Sequence, residues 1–135
     1  MSEIKTLHPK EAWQFLQEHS NALFIDVRSQ MEYLFVGHPA GAIHIPWIDE
    51  PEWKVNPHFT TQVRQAILGG AGGAAPVVLI CRSGVRSLEA GQSLVEAGFK
   101  EVYNVAEGFE GALDDHHHRS SVGGWRHYDL PWEQC

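Results

Sequence analysis

The residues with the clearest capacity for chemistry are Cys81 and the five that follow it, Arg82-Ser83-Gly84-Val85-Arg86. They come directly after Val77-Val78-Leu79-Ile80, a uniformly apolar and largely β-branched run, and just before a helical pattern over Leu88 to Ala97. Such a run reads as a strand buried on both faces, central in a parallel sheet. Ligands of open α/β sheets bind at the carboxyl ends of such strands. A loop that turns this quickly from strand to helix points several backbone N–H groups inward as an anion nest. The following helix N-terminus adds its partial positive charge. Ser83 and Gly84 let the backbone curl, and Arg82 and Arg86 are expected to add two full charges. These surroundings favour the thiolate, the nucleophilic form of cysteine. A lone cysteine at the end of a core strand is more often an inert buried thiol. Two arginines and a glycine within five residues of Cys81 argue for the reactive alternative.

Bulk composition sets the frame for that loop. The chain has 135 residues, 43% hydrophobic and 20% charged, as expected of one globular domain spanning residues 1–135. Its formal net charge is -7, without a basic run, so nucleic acid and anionic membranes are not expected partners. An anionic small molecule would bind only where local positive potential overrides that global field. Two cysteines, Cys81 and Cys135, are too few for a disulfide framework. The N-terminus lacks a signal-peptide pattern, and no apolar stretch reaches spanning length, so the expected location is the reducing cytoplasm.

The elements that must position Cys81 follow in alternation. Ile4 to Leu7 reads as a short edge strand, and Pro9 opens a helix with Ala12, Trp13, Phe15 and Leu16 on its apolar face. Leu23-Phe24-Ile25 is a strand closed by Asp26-Val27-Arg28, and Ser29 with Glu32 forms a capping box for a short helix. Gly37 to Gly41 is a turn, Ala42 to Ile45 a short strand stopped by Pro46, and Trp47 to His58 irregular. Phe59 to Leu68 is a helix, and Gly69 to Pro76 a flexible Gly/Ala loop before the Val77 strand. Gly98 stops the helix after Cys81, Val102 to Val105 is a last strand, and Gly108 to Leu113 a short helix. This order implies an α/β domain with a mainly parallel sheet.

Other chemical-looking residues take blander readings. Asp114-Asp115-His116-His117-His118 reads as a solvated loop, because consecutive histidines diverge and no ligand at metal spacing completes a site. No metal and no cofactor is expected. Gly70 to Ala75 superficially fits a dinucleotide fingerprint but precedes its strand, so the context fails. His38 and His44 read as turn and core histidines, Trp125 and Trp132 as anchors of the tail, and Cys135 as incidental.

Cys81-Arg82-Ser83-Gly84-Val85-Arg86-Ser87 resembles the active-site loop of rhodanese-like sulfurtransferases of the single-domain bacterial type. Further landmarks of that family stand in order: Ile25-Asp26-Val27-Arg28, Glu32-Tyr33, Gly37-His38, Gly41-Ala42, Ile45-Pro46, Gly108-Phe109, Gly124-Trp125 and Leu130-Pro131-Trp132. The resemblance implies a sheet of about five parallel strands with helices on both faces. It implies a Cys81 persulfide cradled by residues 82 to 86, supported by Asp26, Arg28 and Ser87. Asp26 and Arg28 read as a scaffold ion pair behind the loop. The partners implied are a small anionic sulfur donor such as thiosulfate and a thiol, cyanide or protein acceptor. A relay module delivering sulfur to a specific protein is the alternative. Cysteine-dependent phosphatases place five residues between cysteine and arginine; here that arginine would fall on Ser87, so the loop is one residue short for phosphate. The two-domain thiosulfate enzymes carry an arginine where this chain has Glu32, so their donor preference does not transfer directly.

Overall fold

The computed structural model describes residues 4–49, 51–70 and 75–134. Cys135 and half of the Gly/Ala loop expected over 69–76, residues 71–74, lie outside the described residues, while residues 69 and 70 belong to the preceding helix. Its centre is a sheet of five parallel strands in the order β1(Ile4–Leu7), β8(Val102–Val105), β7(Val77–Ile80), β2(Leu23–Asp26), β4(Ile43–His44). β7 is paired on both sides, with Ile25 opposite Leu79 and Leu79 opposite Asn104, and all four of its residues are buried. The apolar run before Cys81 is thus the central strand that the sequence predicts, and Ile4–Leu7 is the edge strand.

Alternation along the strands sorts the core into two layers. Ile25, Val77, Leu79, Cys81 and Val102 pack toward Phe59, Val63 and Ile67 of α2(Phe59–Gly70) and Ala90 and Leu94 of α3(Val85–Glu96). Phe24, Val78, Ile80, Tyr103 and Val105 face the other way, toward Ala12 of α1(Pro9–Glu18) and toward Phe109 and Trp125. Pro9 sits in the first turn of α1, where its missing N–H costs nothing. His8 completes the start: its ring accepts the Lys10 N–H at 3.2 Å while Glu11 accepts the His8 N–H at 2.9 Å.

Strand order reverses direction between β2 and β7, as the chain builds outward to β4 and then back to β8. The crevice beyond their carboxyl ends is a topological switch point, the ordinary binding place of such sheets. Asp26-Val27-Arg28 leaves one of these strands and Cys81 the other.

Several local expectations need correction. Gly108 to Leu113 is not a helix but a turn running into irregular chain, because the N–H groups of Phe109, Glu110 and Gly111 bond to the distant Cys81 and Arg82 carbonyls and not along their own segment. Trp47 to His58 is less irregular than its composition suggests: β5(Ile48–Asp49) and β6(Lys54–Val55) pair as an antiparallel ribbon. The helix begun by Ser29 does form, but closes as a π-helical turn, Glu32–Val36. Near the chain's end, β9(Trp132–Glu133) pairs antiparallel with β3(His38–Pro39), and Trp125, wholly buried, donates its indole N–H to the Pro131 carbonyl at 2.8 Å. Both tryptophans therefore anchor the tail.

Candidate active site

Cys81 begins the loop between β7 and α3 as a free thiol with only 1% of its surface exposed. Its sulfur accepts the Gly84 backbone N–H at 3.1 Å and lies within hydrogen-bond reach of the Ser87 hydroxyl at 3.2 Å. Gly84 turns the chain with φ of +105°, a conformation open to glycine, and Val85 starts α3 with no side-chain cap. The helix thus presents its first turn beside the sulfur without a side chain of its own blocking it.

The loop's carbonyls are held from outside. Phe109 N–H donates to the Cys81 carbonyl at 2.7 Å, and the N–H groups of Glu110 and Gly111 donate to the Arg82 carbonyl at 2.9 and 3.1 Å. These bonds replace the helix expected over 108–113. The strap lies so close that a Cβ on Gly108, where φ is +63°, would stand 2.5 Å from the Cys81 oxygen. With these carbonyls tied behind, the Gly84 N–H is the backbone donor that reaches the sulfur.

Behind the strap sits the pair expected from Asp26-Val27-Arg28. Asp26 and Arg28 are both fully buried, and the guanidinium donates through Nε at 3.0 and 3.1 Å and through Nη2 at 2.7 Å. Arg28 also donates to the Gly37 carbonyl, lies 4.6 Å from the Phe109 ring centroid, and brings Nη1 within 3.7 Å of Glu110. This chain of contacts links β2 to the strap, and the strap to the Cys81 loop. His44 bonds the Arg28 carbonyl at 2.7 Å and His38 the Tyr33 carbonyl at 2.9 Å, both rings stacked on Tyr33. Both make the hydrogen bonds expected of them, but His38 lies in strand β3 where the sequence suggests a turn, and both histidines are part-buried.

The two loop arginines part company. Arg86 donates to both carboxylate oxygens of Glu32, at 2.8 and 2.9 Å. Glu32 is itself fixed by the Ser29 N–H and hydroxyl at 3.2 and 3.1 Å, the capping box read from sequence. Burial alone would push the Glu32 carboxyl up, but Arg86 and Ser29 override it and hold it down at about 2. Burial likewise opposes the charge of Arg86, yet Glu32, with smaller help from Cys81 and Asp26, raises it above its ordinary value. The two full charges expected of the loop are therefore reduced: Arg86 is neutralised locally, and Arg82, exposed, projects outward. Ser83 is half-buried and Val85 63% exposed.

In the His116–His118 segment, Asp114 accepts the backbone N–H groups of His116 and His118 and the Ser121 hydroxyl, ordering an exposed turn. Among the described residues, no group of three or more His, Cys, Asp or Glu side chains is placed to hold a metal ion. No helix among them is long and apolar enough to cross a membrane.

Residues 8–115 match the family model of the rhodanese-like domain. The chain belongs to the rhodanese-like family. It is 34% identical to Rv0390 from M. tuberculosis, whose crystal structure superposes with a TM-score of 0.86 over 99% of this chain and all of that one. It is 33% identical to the thiosulfate sulfurtransferase GlpE of Actinobacillus pleuropneumoniae, over 82% of this chain and 89% of the relative. The uncharacterized protein RP600 homolog of Rickettsia rickettsii is 29% identical over 96% of this chain and 98% of its own length.

Within this rhodanese-like domain, Cys81, Arg82, Ser83, Gly84, Val85, Arg86 and Ser87 form one continuous loop and first helical turn, with Asp26 and Arg28 behind the strap. Asn104 is a member of the site that the sequence reading omits. It accepts the Ser87 hydroxyl through Oδ1 and donates to the Gly84 carbonyl at 3.3 Å. Its signal was present in the sequence: a polar residue in the apolar strand Val102-Tyr103-Asn104-Val105, on the same face as Val102 and so toward α3.

Proposed function

We propose that this protein is a sulfurtransferase that moves sulfane sulfur from a donor such as thiosulfate to a thiol or cyanide through a persulfide on Cys81. The observation that carries this reading is the Cys81 sulfur held by the Gly84 N–H at 3.1 Å, inside a loop whose arginine arrives at position 86. Kinship with a thiosulfate sulfurtransferase supports the choice of donor.

The chemistry is a double displacement. The Cys81 thiolate attacks the outer sulfur of thiosulfate, the S–S bond breaks, and sulfite leaves with the bonding pair. The new terminal sulfur carries the negative charge into the curl of residues 82 to 86, whose N–H groups stabilise it. An acceptor thiolate or cyanide then attacks that terminal sulfur, and the pair of the broken bond returns to Cys81 as thiolate. No proton moves in either half, so no positioned general acid is required. Arg82, exposed at the rim, meets the anionic donor; Arg86 braces the loop through Glu32.

Delivery to a protein thiol is the second reading, favoured by apolar Val85 and Leu88, which are 63% and 47% exposed on the first turn of α3. Steady-state turnover with thiosulfate and cyanide, run beside 3-mercaptopyruvate and an aryl phosphate, tests the proposal. Thiocyanate formation from thiosulfate with no phosphate release is the expected result. Phosphate release without thiocyanate would reverse the assignment.

A further inference from the structure

The Ser87 hydroxyl lies within reach of two acceptors at once, the Cys81 sulfur at 3.2 Å and Oδ1 of Asn104. All three side chains are buried: Ser87 is 0%, Cys81 1% and Asn104 5% exposed. A serine carries one hydroxyl proton, so only one of these acceptors can be served at a time. Asn104 cannot turn away, because its Nδ2 is engaged by the Gly84 carbonyl at 3.3 Å.

Which acceptor wins depends on where the charge sits. With a bare thiolate, the charge is on the Cys81 sulfur, and a charged acceptor takes the stronger hydrogen bond. Once a second sulfur is attached, the charge moves to the terminal atom and the inner sulfur becomes a divalent, weak acceptor. A buried hydroxyl left without a good acceptor is costly. Asn104 Oδ1 removes that cost.

Resting on the sulfurtransferase reading, we propose that Asn104 is a positioning residue for sulfur transfer, receiving the Ser87 hydroxyl when Cys81 is loaded and releasing it to the sulfur when Cys81 is free. Asn104 thereby favours the loaded state without touching the donor.

The test equilibrates each variant with a fixed ratio of thiosulfate to sulfite and reads loaded against free Cys81 by intact mass. Asn104→Leu should lower the loaded-to-free ratio roughly three- to tenfold, the effect of one neutral hydrogen bond. Asn104→Asp keeps an acceptor oxygen for Ser87 while losing the Nδ2 donor to Gly84, and should hold the ratio above that of Asn104→Leu. In the Ser87→Ala background, Asn104→Leu should change it by less than about twofold, since the route through Ser87 is gone. A drop in Asn104→Asp as large as in Asn104→Leu, or an undiminished drop in the Ser87→Ala background, would overturn the proposal.

The pH midpoint of Cys81 alkylation by iodoacetamide needs no sulfur transfer and separates the two ideas. It should fall in Asn104→Leu, where the Ser87 proton is left to the sulfur alone, and rise in Ser87→Ala. If wild type takes up no sulfur while these midpoints move as stated, the sulfurtransferase reading fails and the shared proton survives. If wild type loads but neither ratio nor midpoint responds to Asn104 or Ser87, the proposal fails alone.

Discussion

Arg86 and Glu32 join the first turn of α3 to the π-helical turn after β2 through two parallel hydrogen bonds of 2.8 and 2.9 Å. The side chains are only 20% and 19% exposed, so the pair is shielded from much of the solvent. A bidentate contact of this kind fixes orientation as well as distance. It makes Arg86 a brace for the loop and withdraws its charge from a passing anion.

Arg86→Ala should therefore act through the loop. Truncation leaves Glu32 half-buried without its cation, and we expect a stability loss on the order of 1–3 kcal/mol with a roughly ten- to hundredfold fall in kcat/KM for thiosulfate. Because Glu32 and Arg86 act as one unit, the double variant Glu32→Ala/Arg86→Ala should be no less stable than Arg86→Ala. Urea unfolding of the four proteins in this cycle checks the coupling.

The same pair sets an acid limit. The Glu32 carboxyl titrates at about 2 in the fold against an ordinary value of 4.5. A carboxyl depressed by folding contributes stability that is fully present above 4.5 and is lost as pH falls through about 2. After discounting for solvent screening, the contribution is on the order of 2 kcal/mol. Unfolding free energies measured between these limits should decline less steeply in Glu32→Gln than in wild type. An unchanged acid slope in the variant would remove Glu32 as the cause.

Arg82 is the complementary case, exposed and without an ion pair among the described residues. Arg82→Ala should lower kcat/KM for thiosulfate roughly tenfold, the value of one charge-assisted contact, while leaving stability within about 0.5 kcal/mol. Steady-state kinetics alongside thermal unfolding distinguishes this from the Arg86 phenotype, in which both quantities fall.

Gly108 holds the strap against the loop. A methyl group there would meet the Cys81 oxygen at 2.5 Å and the Arg82 carbonyl at 2.6 Å, in a backbone conformation of φ +63°. Gly108→Ala should cost on the order of 1–3 kcal/mol and displace the loop, depressing turnover more than a surface substitution would. Gly41→Ala makes a fair control, since nothing lies within 4 Å of its added Cβ although its φ is also positive, at +85°.

How far the sequence revealed this arrangement depends on the reach of each interaction. Val77–Ile80, Asp26–Arg28 and the Ser29–Glu32 box are written in adjacent residues, and all three appear as read. The strap over 108–113 reads as a helix in sequence because its hydrogen-bond partners, Cys81 and Arg82, lie elsewhere in the chain. Local pattern cannot register bonds that leave the segment. The same holds for Arg86, whose partner is 54 residues away and whose charge looked free in the loop motif. Asn104 is marked in sequence only by its polarity in a buried strand, since its meaning depends on Ser87 standing opposite on α3.

The central claim is that the Cys81 sulfur, held by Gly84 and Ser87, accepts sulfane sulfur. Intact-mass measurement after exposure to thiosulfate tests it most directly. The account predicts one added sulfur atom per chain, removed by cyanide, absent in Cys81→Ser and retained in Cys135→Ser. An adduct that persists in Cys81→Ser, or a wild-type protein that gains no sulfur at all, would contradict it.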